Sequence, residues 1–264
     1  MKKLSLVSII TLFAIASFAQ TKREERAEKK EARRQKINEL VKQAEEGTLV
    51  YAKQSIFGLQ LRTNGYGLFY ELGRMKTNRK TNIYRIDITE IKNAKEEKQA
   101  TGNGFFFNNP FAYGKINYFY PITLGFGQQY ILGQKGNKNG VAVSAVYNAG
   151  LAIGLLRPYY LDVATSANNI ESIKYEDDST SFLYGNIQGS SGLKKGWSDL
   201  KVKPGAFAKG ALRFDYGRFN ETVSALEVGL SVEAYASKIP LMAYQKDKRL
   251  FFQAYVALLF GKRK

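Results

Sequence analysis

The chain has 264 residues, enough for one large domain or two small ones. It contains no cysteine and no histidine, which excludes disulfides, thiolate metal sites, a lipidated cysteine anchor and every Ser-His-Asp or Cys-His catalytic arrangement. A formal net charge of +17 points to an anionic partner, nucleic acid or a membrane surface, and the compartment decides between them.

The N-terminus reports that compartment. Residues 1–19 read as a secretory signal peptide: Lys2 and Lys3, an apolar stretch from Leu4 to Ala16, then the small-residue pattern Ser17-Phe18-Ala19. The stretch is short for a bilayer-spanning helix, and a charged run follows at once. Export removes nucleic acid as a partner.

Residues 20–47 form a charged helical arm, expected in the periplasm. Glu and Lys/Arg recur through 21–46 at helical spacing, and Ile37, Leu40, Val41 and Ala44 make a short apolar stripe before Gly47. Such an arm either docks on a partner or plugs a barrel, or it is simply a solvated helix.

Residues 48–264 change texture. Tyr and Phe number 17 each across the chain, and here they sit within period-two alternation. Eight strands are predicted at about 55–63, 66–75, 82–92, 113–132, 140–157, 204–216, 222–236 and 249–260. In the seventh, Leu226, Val228, Leu230, Val232 and Ala234 share one face, opposite Glu227, Gly229, Ser231 and Glu233. The fifth is apolar throughout, yet its large residues recur every two positions, and Gly150 and Gly154 weaken a helix.

Several segments exceed the roughly five or six residues usual for a globular strand and reach the roughly 9–11 needed to cross hydrocarbon. A sheet in hydrocarbon must close on itself. The fold class expected is all-β: an eight-stranded antiparallel transmembrane β-barrel preceded by a short charged helix. Connections 77–82, 134–140 and 217–221 are short, whereas 93–112, 158–203 and 237–248 are long, the asymmetry of periplasmic turns and outer loops. The first connection, the tight hairpin Asn64-Gly65, departs from that rule.

The inward faces carry Glu71, Arg85, Asp87, Lys209, Arg213, Asp215, Glu227 and Glu233. In a lumen just wide enough for side chains they are expected to pair off evenly as a structural network, with a narrow polar path as the sharper alternative. In the long loop, Lys194, Lys195, Lys201 and Lys203 flank Trp197, the only tryptophan, and are candidates for lipid-headgroup or lipopolysaccharide contacts. Glu176, Asp177 and Asp178 lack the alternate spacing of a calcium loop. No catalytic, cofactor-binding or metal-binding residues are assigned, and no cofactor is expected.

The Ser17-Phe18-Ala19-Gln20 junction, the alternating text and the aromatic-rich final strand FFQAYVALLF (251–260) resemble outer-membrane β-barrel proteins of Bacteroidota. GKRK (261–264) departs from the aromatic ending of such barrels and reads as a tail. The resemblance implies a place in the outer membrane and contact with barrel-insertion machinery, and no enzyme activity carries over from it. It leaves two functions open: an envelope scaffold or adaptor acting on a periplasmic or envelope protein through its loops or arm, or a narrow pore or lipid/small-solute conduit.

Overall fold

The computed structural model describes residues 28–35, 38, 51–99, 110–136, 139–166, 169–218 and 221–264. The expected signal peptide (1–19) and most of the expected arm (20–47) lie outside these. Residues 28–35 of the arm are helical and exposed.

The strands are, in chain order, β1 (Lys53–Arg62), β2 (Gly65–Thr77), β3 (Lys80–Ile91), β4 (Lys98–Gln99), β5 (Phe111–Ala112), β6 (Asn117–Gly133), β7 (Ala142–Pro158), β8 (Tyr160–Ser166), β9 (Asn169–Lys174), β10 (Asn186–Ser190), β11 (Lys201–Asp215), β12 (Thr222–Ile239) and β13 (Lys248–Arg263). Eight of them close in the order β1-β13-β12-β11-β7-β6-β3-β2, every neighbour antiparallel. All eight predicted strands are present. They run from 10 to 18 residues, so each can cross a hydrocarbon layer at a tilt.

The closing seam is β1 with β13. Gln54 pairs with Arg263, and the Lys264 amide donates to the Lys53 carbonyl at 2.9 Å. The sequence GKRK is therefore no tail: it completes the last strand, with Arg263 turned into the lumen. The first hairpin turns at Thr63-Asn64, and Gly65 already belongs to β2. Gly125 faces inward because a Cβ there would lie 1.9 Å from Asn148 Oδ1.

Side chains alternate as the pleat requires. Outward positions carry Phe57, Leu59, Leu68, Leu72, Tyr84, Ile86, Leu124, Phe126, Tyr147, Leu151, Leu212, Val228, Leu230, Phe252, Val256 and Leu258, all exposed and spread over every strand of the ring. Inward neighbours such as Ala152 and Leu259 are 1% and 0% exposed. This inverts a water-soluble barrel, whose outer face is polar, and an apolar ring of such extent requires a non-aqueous surrounding.

The connection after β7 holds more structure than a loop. Strands β8, β9 and β10 form a three-stranded sheet, and Ser179–Tyr184 is a short helix. Phe111, Tyr159, Leu161, Val163 and Phe182 give this cap its own core.

Candidate functional site

All eight predicted lumen residues point inward and are buried, Lys209 with 7% of its side chain exposed. The ring order places β2 opposite β11 and β3 opposite β12, four strands apart either way. Two ion pairs bridge those diameters. Arg213 on β11 donates through Nη1 and Nη2 to both oxygens of Glu71 on β2, each at 2.7 Å. Arg85 on β3 donates from Nη1 to Glu227 on β12 at 2.9 Å. Glu227 joins the pairs, because Arg213 Nη2 also reaches it at 2.7 Å.

Around this crossing, Lys209 Nζ lies 2.9 Å from both oxygens of Asp87, and Arg85 Nε donates to Asp87 at 3.1 Å. The Arg85 guanidinium rests 3.4 Å from the centre of the Phe69 ring. Nearer the end that carries the β8–β10 cap, Glu233 pairs with Arg62 and accepts from Tyr235 Oη at 2.7 Å. At the opposite end Asp215 accepts from Arg263 Nη2 at 2.5 Å, from the Gly217 amide at 2.9 Å and from Lys135 Nζ at 3.4 Å.

Apolar layers bracket the charges. Ile91, Phe119, Leu156, Phe207, Tyr235, Ile239 and Phe251 pack across the cap end, with Phe119 and Tyr235 edge to face at 5.1 Å. Ile56, Val223, Ala225, Ala257 and Leu259 pack between the crossing and Asp215. Side chains occupy the described lumen along its length, as an eight-stranded circumference dictates.

An even pairing within the eight predicted charges does not occur. Glu71, Asp87, Asp215, Glu227 and Glu233 are acidic, while only Arg85, Lys209 and Arg213 are basic. The deficit of two cations is met by Arg62 and Arg263, with Lys135 in addition. Arg62 and Arg263 continue the inward period of β1 and β13, whereas Lys135 lies in a turn where no alternation applies. The imbalance itself was the available signal, since buried carboxylates demand partners.

The five loop residues do not gather into one site. Lys194 and Lys195 are exposed, Lys203 is half-buried, and Lys201 is committed to Glu176 at 2.6 Å. Trp197 stacks on Tyr120 at 5.9 Å and donates from Nε1 to the Leu193 carbonyl at 2.8 Å. Behind it lies Arg157, fully buried, 4.2 Å from the Tyr118 ring centre and 4.8 Å from that of Trp197. Arg157 was not singled out in the sequence, although it is the lone charge closing an apolar run. The rim also carries a cleft of about 440 Å³ beside Tyr66, Lys92, Glu96 and Lys115. Burial pushes the Lys115 ammonium below the usual lysine range, despite Glu96 at 2.6 Å.

The acidic triplet is consumed structurally. Glu176 holds Lys201, Asp177 lies 3.7 Å from Lys174, and Asp178 accepts from the Thr180 and Ser181 amides at 3.0 Å to cap the short helix. Among the described residues no cluster of three or more metal-ligating side chains occurs.

No family model and no curated protein matches the sequence. Among solved structures, the chain is similar to the N-terminal β-barrel domain of OprF from Pseudomonas aeruginosa, at 9% identity over 80% of this chain and 98% of that one, with a TM-score of 0.36. It is similar to Ail, the attachment invasion locus protein of Yersinia pestis, at 11% identity over 81% and 100%, with a TM-score of 0.35. Neisserial surface protein A follows at 9% identity over 80% and 96%, with a TM-score of 0.37. The assignment of a closed eight-stranded barrel rests on the strand pairing itself.

Proposed function

We propose that the chain is an exported outer-membrane β-barrel with a sealed lumen, serving without catalysis as an envelope scaffold or adaptor. The observation that carries this reading is the combination of an apolar outer ring with ion pairs that span the lumen: the wall suits lipid, and the interior leaves no room for a substrate. Function then falls to what the barrel holds outside the hydrocarbon, namely the β8–β10 cap and the charged arm. Short turns and both barrel termini at one end make that end periplasmic, and the cap faces outward. In this arrangement Trp197 stacks at the outer rim while Lys194 and Lys195 extend toward lipid headgroups or lipopolysaccharide phosphates. The residues at the mature N-terminus and the aromatic final strand fit the narrower resemblance to Bacteroidota barrels, and insertion would use the barrel-insertion machinery.

The test is fractionation and conductance together. The protein should partition with outer membranes, migrate faster on a gel before boiling than after, and give no conductance in a planar bilayer. Recovery as a soluble periplasmic protein would end the membrane reading. A stepwise conductance would shift the function to the rival pore or small-solute conduit, whose motive was the polar inward face now taken up by ion pairs.

A further inference from the structure

We infer that the outer wall of β2, β3, β6 and β7 is a binding site for an anionic phospholipid of the periplasmic leaflet. The inference rests on the membrane orientation proposed above.

Four exposed cations stand together at the periplasmic end of adjoining strands: Lys53 on β1, Arg74 and Lys76 on β2, and Lys80 on β3. Lys53 and Arg74 are directly paired across the β1–β2 ladder. Like charges in that position repel each other and weaken a sheet, unless an anion lies over both. Among the described residues, none of the four cations is ion-paired to an acidic side chain. Among the described residues, the ion pairs at this end are Lys135 and Arg263 with Asp215, both turned inward. At the same end Leu132 stands on the outward face of β6 and Ser224 on that of β12, while exposed Lys262 on β13 continues the cationic row on the far side of β1.

The second observation is apolar. Immediately toward the membrane centre, a groove of about 470 Å³ opens on the wall between Tyr70, Leu72, Tyr84, Phe126 and Leu151, with Ala149 also in its lining. Leu72 and Arg74 share the outward face of β2 and lie two residues apart, roughly 7 Å along the strand. Leu72 pairs with Tyr84, and Arg74 with Asn82 one step nearer the end. A phosphate held by Arg74, Lys76 and Lys80 therefore places an acyl chain at the mouth of the groove. Cations alone would suit an acidic protein. Cations continuous with an apolar slot, on a wall that faces hydrocarbon, suit a lipid.

The experiment uses the full chain refolded into vesicles of equal phosphatidylglycerol and phosphatidylcholine, extracted in mild detergent, with retained lipid quantified by mass spectrometry. The wild type should retain phosphatidylglycerol over phosphatidylcholine by about tenfold at low salt, and the preference should collapse at high salt. Replacing the three cations together (Arg74→Gln, Lys76→Gln, Lys80→Gln) should bring the ratio near one. Ala149→Phe, which fills the groove, should reduce retention of both lipids. The outer-loop pair Lys194→Gln, Lys195→Gln should leave the ratio unchanged. Should the triple variant not refold, the salt titration of the wild type decides alone. Equal retention by the wild type, or a preference untouched by salt or by the triple change, overturns the inference and favours an acidic protein partner. Failure of the wild type to show heat-modifiable migration in either lipid would instead overturn the membrane reading beneath it.

Discussion

Glu71 and Arg213 face each other from opposite walls of the barrel and meet in a two-pronged ion pair, both contacts at 2.7 Å. The pair spans the diameter, because β2 and β11 are as far apart in the ring as two strands can be. A bidentate guanidinium–carboxylate contact fixes orientation as well as charge. It ties the three strands on either side of that diameter into one closed unit and occupies the lumen where it crosses.

Removing one partner of this pair is expected to be costly. Arg213→Met leaves Glu71 buried without a charge partner at bonding distance other than Arg85 at 3.6 Å. The loss should be about 3–5 kcal/mol, and Glu71→Leu on top of Arg213→Met should recover part of it. Urea unfolding in vesicles, followed by gel migration, reads both. An Arg213→Met barrel as stable as wild type would show that the crossing contributes nothing.

The aromatic plug and the charged crossing should act separately. Phe119→Ala removes a fully buried ring packed on Tyr235 and Phe251, at about 3–5 kcal/mol of stability. Planar bilayers should still show no conductance, because Arg85–Glu227 and Arg213–Glu71 lie deeper. Open events from this single variant would mean that the ring, not the ion pairs, seals the lumen.

At the barrel end that holds Lys53 and Lys264, Asp215 collects Arg263, Lys135 and the Gly217 amide. Asp215→Asn should destabilise by about 1–3 kcal/mol and free the last residues of β13. Faster amide exchange at Arg263 and Lys264, with the middle of β13 unaffected, is the expected signature.

The cap carries one pH-sensitive contact. The Ser181 hydroxyl, followed by the Ser181 and Thr180 amides, holds the Asp178 carboxyl below the ordinary carboxylate range. A carboxylate depressed by folding stabilises fully above its unfolded pKa of about 3.9, and that contribution is lost as pH falls through the lower folded value. Amide shifts of Thr180 and Ser181 in micelles should titrate with a midpoint below about 3.9. Asp178→Ala should abolish the titration and fray the helix at neutral pH.

The barrel was legible in the sequence because lipid on one side and a packed lumen on the other impose a strict two-residue period. Leu226 to Ala234 against Glu227 to Glu233 is enough to place β12 and both of its faces. Legibility ended where the period did. Arg62 and Arg263 continue the inward period of β1 and β13, but Lys135 lies in a turn, so its inward direction follows from long-range pairing with Asp215 and not from neighbours in sequence. The β8–β10 cap was read as loop because its strands are short and its core is completed by Phe111 and Phe182 from other segments, although Leu161 and Val163 alternate with Asp162 and Ala164. Arg157 is an outward residue hidden by a segment about 40 positions further on, its Nη1 bonded to the Leu193 carbonyl. No local pattern announces such a contact.

The absence of native cysteine makes the central claim directly measurable. Single cysteines along β12, at 226 through 233, can each carry a nitroxide in protein refolded into vesicles. Labels at Leu226, Val228, Leu230 and Val232 should collide with oxygen dissolved in hydrocarbon and not with an aqueous nickel reagent. Labels at Glu227, Gly229, Ser231 and Glu233 should meet neither. Aqueous contact at the first set, or oxygen accessibility without a two-residue period, would contradict a wall facing lipid around a filled interior.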